Sequence, residues 1–189
     1  MLKLFFGGWS TRTAKLRASA PMLLLFAGCA GPPQGVEPLR SFDLSRYRGE
    51  WFEIMRLDHR FERGLTNVTA AYTPRADGSI GVVNRGFDPE GCRWKVAEGK
   101  AVLQGDADTA SLSVSFFPPF AGGYHVVSLD RRNYAWAMVA GPTKDYLWIL
   151  ARRPDLDASV RNRLVAEAKA LGFPVERLIL VDHGARACR

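Results

Sequence analysis

Along much of the chain, apolar and polar positions alternate over short stretches, a period-two pattern. It is clearest in the run 110–117, where Leu112, Val114 and Phe116 alternate with Ser111, Ser113 and Ser115. Successive side chains of an extended strand point to opposite faces, so one face of this run is apolar. Ile80 with Val82, and Tyr124 with Val126, follow the same rule less cleanly. From residue 49 onward such runs fall at 49–57, 67–73, 79–87, 92–103, 110–117, 122–129, 134–140 and 146–152. Clusters of Gly, Pro, Asn and Asp at 74–78, 88–91, 106–108, 118–119, 130–133 and 141–145 separate them as turns. Strands joined this closely predict an all-β antiparallel meander, and closure into an up-and-down barrel removes its exposed edges. An eight-stranded barrel has room for its own side chains or for one small ligand. The alternation alone leaves both open.

The period changes once. Val160, Leu164, Ala168 and Leu171 recur at helical spacing behind a capping residue, Asp157, with Gly172 and Pro174 as the stop. This C-terminal helix is expected to lay its apolar stripe against the outside of the barrel, a partner- or membrane-docking helix being the alternative. A short apolar run at 178–181 is expected to add beside the first strand.

Composition changes the picture at the N-terminus. The chain has 189 residues, 47% hydrophobic and 24% charged, with a formal charge of +7. Such an excess would ordinarily suggest a polyanionic partner. Yet Lys3, Arg12, Lys15 and Arg17 all precede the first acidic residue, Glu37, and lead into an apolar run at 21–27. A basic segment followed by a short apolar one is the layout of a secretory signal peptide, and the run is well short of the about 20 residues a spanning helix needs. Removal of residues 1–28 takes four of 26 basic residues and none of 19 acidic ones, leaving +3. No basic cluster with interleaved aromatics remains, which excludes nucleic acid as the expected partner.

Phe26-Ala27-Gly28-Cys29 resembles the lipobox of bacterial lipoproteins, in which the cysteine is acylated after cleavage just before it. The resemblance implies a chain divided into a lipoprotein signal peptide (1–28), a lipidated N-terminus and linker (29–40) and the barrel domain (41–189). It implies a membrane anchor at Cys29, since two or more acyl chains hold a protein stably where one does not. Ala30 after the cysteine favours the outer membrane, facing the periplasm. Cys92 and Cys188 remain; in an oxidising envelope they either form a disulfide or stay as two free thiols. His59, His125 and His183 lie far apart and no close Cys or His pair exists, so no metal or other cofactor is expected.

Gly49-Glu50-Trp51, Leu129-Asp130-Arg131 and 146–152, in that order, resemble the three motifs of the lipocalin family. The runs 46–54, 58–65, 114–118 and 122–124 are similar to the bacterial outer-membrane lipocalins of the Blc type, relatives of apolipoprotein D. The resemblance implies that Gly49 and Trp51 close the barrel floor, with Arg152 across the indole as a structural cation–π partner. It implies small hydrophobic ligands, fatty acids or lysophospholipids. Alternation then nominates Val68, Ala70, Tyr72, Ile80, Val82, Leu112, Val114, Phe116, Tyr124, Val126 and Trp148 as lumen wall, with Phe61 as part of a lid. The expected partners are that ligand and the membrane, with a homodimer left open. Catalysis is not expected: Cys92 with His125, Glu50 with Glu53, and Asp106 with Asp108 are the only acid, base or nucleophile pairs to weigh. The carboxylates among them read as solvated surface groups. The competing function is a structural or stress-response lipoprotein with a filled barrel.

Overall fold

The computed structural model describes residues 31–188; the expected signal peptide (1–28) and Cys29 lie outside the described residues. The strands are β1 (Gly49–Leu57), β2 (Thr66–Pro74), β3 (Ile80–Asp88), β4 (Arg93–Leu103), β5 (Ser111–Phe117), β6 (Phe120–Leu129), β7 (Trp136–Ala140), β8 (Leu147–Ala151) and β9 (Leu178–Leu180). Each pairs antiparallel with its sequence neighbour from β1 to β8, and β8 returns to β1, which closes the barrel. The first strand manages both pairings because its start, Gly49–Phe52, lies along β2, while Phe52–Arg56 lies along β8 with a register shift between Glu53 and Met55. Beyond the stretch that pairs with β2, β9 takes over the free edge at Met55–Leu57. This is the eight-stranded barrel with one added strand that the alternation predicts.

Two helices frame it. α1 (Leu44–Tyr47) is a single turn capped by Asp43, whose Oδ1 accepts from the Ser45 N–H at 2.8 Å. The sequence pattern gives no helical period here because four residues are too few to show one. α2 (Ala158–Ala170) begins at Asp157, which accepts from the N–H groups of Ser159 and Val160, and stops before Gly172 at φ +80°. Leu164 and Ala168 of α2 are buried outside the barrel in one cluster with Ile54, Met138, Leu147 and Ile149. β7 and β8 are therefore covered on both faces, which is why their sequences are continuously apolar rather than alternating.

Cys92, in the turn between β3 and β4, is joined to Cys188 by a disulfide spanning 96 residues, with Cα atoms 5.1 Å apart. Restricting the unfolded chain in this way typically contributes about 2–4 kcal/mol. The C-terminal tail is thereby held against the open end of the barrel.

Candidate functional site

One end of the barrel is sealed. Trp51 is fully buried, donates from Nε1 to the Tyr47 carbonyl at 2.8 Å, and lies 4.7 Å from the Tyr47 ring. The Arg152 guanidinium covers its other face at 3.8 Å and donates to the carbonyls of Glu50 (2.8 Å), Arg46 (2.9 Å) and Tyr134 (3.3 Å). One side chain thus ties β1, α1 and the β6–β7 turn together. Gly49 has φ +90°, a backbone conformation that L side chains rarely adopt, so glycine suits this position. Asp130 braces the β6–β7 turn, accepting from the N–H groups of Arg132, Asn133 and Ala135.

Beyond this floor the barrel opens into a cavity of about 530 Å³. Its wall is built by Val68, Ala70 and Tyr72 of β2, Val82 of β3, Val114 and Phe116 of β5, Tyr124 of β6 and Trp148 of β8, and Phe61 borders it from the β1–β2 loop. Gly99 of β4 lets Phe116 lie flat on the strand, where a Cβ would meet the ring at 2.7 Å. Three nominated wall residues are corrected. Ile80, Leu112 and Val126 face inward but do not reach the cavity; they are packed with Trp51, Phe42 and Leu129 in the floor. Alternation assigns a face, whereas depth along the barrel axis depends on register, and all three sit in the closed half of their strands. The mouth is apolar: Phe117 and Phe120, flanking the Pro118–Pro119 turn, are 72% and 78% exposed beside Phe61.

The interior also holds a charged cluster that the sequence pattern does not reveal. Glu53, read above as a solvated surface group, is buried in the cavity wall, while Glu50 is exposed. Arg56 is buried as well, donating from Nη1 to Glu53 Oε1 at 2.7 Å and from Nη2 to the Glu62 carbonyl at 2.8 Å. Glu62 Oε2 accepts from Trp148 Nε1 at 3.2 Å and lies 3.1 Å from His59 Nε2. Burial, and then the Glu62 charge, push the Glu53 carboxyl well above the ordinary range, with Arg56 opposing. Burial raises Glu62 too, but the hydrogen bond and the charge of His59, with hydrogen bonds from Glu53 and Trp148, outweigh it and hold Glu62 below its usual value. Of the two carboxyls Glu53 is therefore the weaker acid and Glu62 the stronger. Tyr72 donates to Tyr124 at 2.9 Å, and the Tyr124 and Tyr47 hydroxyls are 2.6 Å apart, forming a neutral hydroxyl chain toward the floor.

Of the pairs weighed for catalysis, Cys92 with His125 is not assembled. Cys92 is consumed by the disulfide, and His125 Nδ1 lies 2.9 Å from Ser111 Oγ.

A closed antiparallel barrel, sealed at one end and leading at the other into an apolar cavity, is the architecture of a protein that binds small hydrophobic molecules. The chain belongs to the lipocalin family: the lipocalin-like domain model matches residues 42–183. It is 48% identical over 165 residues to outer membrane lipoprotein Blc of Citrobacter freundii, covering 87% of this chain and 93% of that one. It is 46% identical to outer membrane lipoprotein Blc of Escherichia coli K12, covering 91% of this chain and 98% of that one. Mouse apolipoprotein D is 30% identical over 163 residues, with 82% of each chain covered. Among solved structures, insecticyanin from the tobacco hornworm Manduca sexta superposes with a TM-score of 0.67 at 20% identity, covering 84% of this chain and 90% of that one, which is likeness of fold.

Proposed function

We propose that this lipocalin is a lipid-anchored protein of the outer membrane that takes single-chain lipids, fatty acids or lysophospholipids, into its barrel. The observation that carries the reading is the cavity of about 530 Å³, which has the size of a small-molecule site and walls of Val, Ala, Phe, Tyr and Trp. Burying an acyl chain in such a lumen contributes about 0.8 kcal/mol per methylene, enough for useful affinity from partial insertion. The unfilled lumen also favours a binding role over the filled-barrel alternative. Binding is passive partition through the apolar mouth, without catalysis. The names of the Blc relatives support the membrane location, and acylation of Cys29 is the proposed means.

Trp148 in the cavity wall supplies the readout. Titration with palmitic acid or a lysophospholipid is expected to change tryptophan emission saturably at micromolar ligand, and an unchanged spectrum would sink the binding reading. Separately, Cys29→Ser is expected to move the protein from the membrane fraction to the soluble one. Unaltered membrane retention would rule out the anchor and leave the lumen unaffected.

A further inference from the structure

The C-terminal tail builds a second cleft, on the outer face of the barrel. Beyond β9 it is pinned to the first two strands: Val181 N–H donates to the Ile54 carbonyl at 2.9 Å, Asn67 N–H to the Asp182 carbonyl at 2.7 Å, and His183 Nε2 to the Glu53 carbonyl at 2.8 Å. The Cys92–Cys188 disulfide then fixes its end at the β3–β4 turn. Between tail and strands lies a cleft of about 210 Å³ whose lining includes Thr69, Arg85, Trp94, His183 and Arg186. Thr69 and Arg85 alternate with the lumen residues Val68, Ala70, Asn84 and Gly86, so their side chains point outward. Two guanidiniums stack on Trp94, Arg85 at 3.9 Å and Arg186 at 5.2 Å from the ring centroid, whereas Trp51 and Trp136 each carry one among the described residues. Attraction to the indole holds each arginine, but it gathers two positive charges on one ring, where they repel. Both arginines are exposed, and neither has an ion pair or hydrogen bond among the described residues. Glu50 is the one carboxylate of the lining, and strand register sets it apart. It lies level with Ala71 and Val83, and Trp94 with Phe87, on opposite sides of Arg85. Asp88, at the end of β3, is held by Lys95 at 2.9 Å.

We infer that this outer cleft is an oxoanion site, separate from the lumen, in which Arg85 and Arg186 grip a phosphate monoester above the Trp94 ring. Each planar guanidinium offers paired N–H donors that match phosphate oxygens. A phosphate monoester carries close to two negative charges at neutral pH, which two unpaired guanidiniums balance and which a carboxylate lacks. The Thr69 hydroxyl on the same lining supplies a neutral donor. The tail is part of the site because it brings Arg186, and the disulfide keeps it there. A lipid headgroup ending in phosphate and a soluble phosphate ester share this chemistry.

The test uses the full chain carrying Cys29→Ser, so that no acyl anchor adds to binding. Inorganic phosphate is titrated at constant ionic strength while the arginine Nε–H and tryptophan Nε1–H resonances are followed. Those of Arg85, Arg186 and Trp94 are expected to shift together and to saturate at millimolar phosphate. Arg85→Ala and Arg186→Ala are each expected to weaken phosphate by about three- to tenfold. Arg186→Lys, which keeps the charge and loses the fork, is expected to weaken it by about two- to threefold. Arg163→Ala removes an equal charge from the single stack on Trp136 and is expected to change the affinity by less than about twofold. Unmoved Arg85 and Arg186 signals, or an Arg163→Ala effect as large as that of Arg186→Ala, overturn the site. Should an alanine variant fail to fold, the shifts of the parent chain decide. A second arm compares retention on phosphatidylcholine vesicles with and without phosphatidic acid. Retention that needs phosphatidic acid and falls in Arg186→Ala identifies a lipid headgroup as the source. Phosphate binding without such retention identifies a soluble phosphate ester and overturns the lipid source. The acyl-chain reading of the lumen stands or falls separately, on its own titration.

Discussion

Arg56→Ala is expected to lower the stability of the barrel by about 3–5 kcal/mol, read from urea unfolding, because it breaks a buried ion pair from one side. The guanidinium is almost wholly buried, and its Nη1 bond to Glu53 and Nη2 bond to the Glu62 carbonyl join strand β1 to the loop that folds over the lumen. Removing it leaves the Glu53 carboxyl, beside that of Glu62, and the Glu62 carbonyl without their guanidinium donor. Replacing the whole set, as Arg56→Met with Glu53→Gln and Glu62→Gln, is expected to recover most of the loss, since a neutral core needs no counter-charge. A loss below about 1 kcal/mol in the single variant would mean that water reaches the cluster and screens it.

The same cluster gives stability a pH dependence of definite sign. The folded-state value of Glu53 is raised above the usual 4.5, so above that value the native state holds a proton that the unfolded chain has released. Stability then falls as pH rises from about 4.5 towards the raised native value. Glu62 is shifted the other way, and its contribution is present above the usual value and lost as pH falls through the lowered one. Glu53→Gln is expected to flatten the decline on the alkaline side and to leave the acid side in place. An identical pH profile for wild type and variant would refute this assignment.

Why the chain announces its barrel yet conceals this cluster follows from the range of each interaction. Turns and alternation are local: the Ser and apolar positions of β5 need only their neighbours to declare a face, and Asp157 and Gly172 mark the helix ends within a few residues. The depth of Ile80, Leu112 and Val126 depends on strand register across the barrel, which no single run contains. Glu53 and Arg56 did carry a signal. They are opposite charges inside the otherwise apolar stretch Trp51–Leu57, and a strand covered on both faces must pair such charges internally. What could not be read was the return of the β1–β2 loop, which brings His59 and Glu62 onto Trp148, 86 residues further along the chain from Glu62.

Trp51→Ala is expected to be the most damaging single change, lowering stability by about 4–6 kcal/mol from the lost side-chain volume and the lost cation–π contact together. The indole has no exposed surface, and its removal would leave Arg152 spread over a void while Tyr47 loses both its ring neighbour and the donor to its carbonyl. That is a large part of the about 5–15 kcal/mol that holds a typical domain folded. Trp51→Phe keeps an aromatic face under the guanidinium and forfeits chiefly the Nε1 bond, so a loss of about 1–2 kcal/mol is expected. Arg152→Lys should cost about as much, because an ammonium group cannot lie flat on the indole and reach the Glu50, Arg46 and Tyr134 carbonyls together. Trp51 does not border the cavity, so folded Trp51→Phe is expected to bind acyl ligands within about twofold of the wild type, as separate sites do. A tenfold fall in affinity at unchanged stability would instead make Trp51 part of the binding site, and the floor and the lumen would have to be treated as one unit.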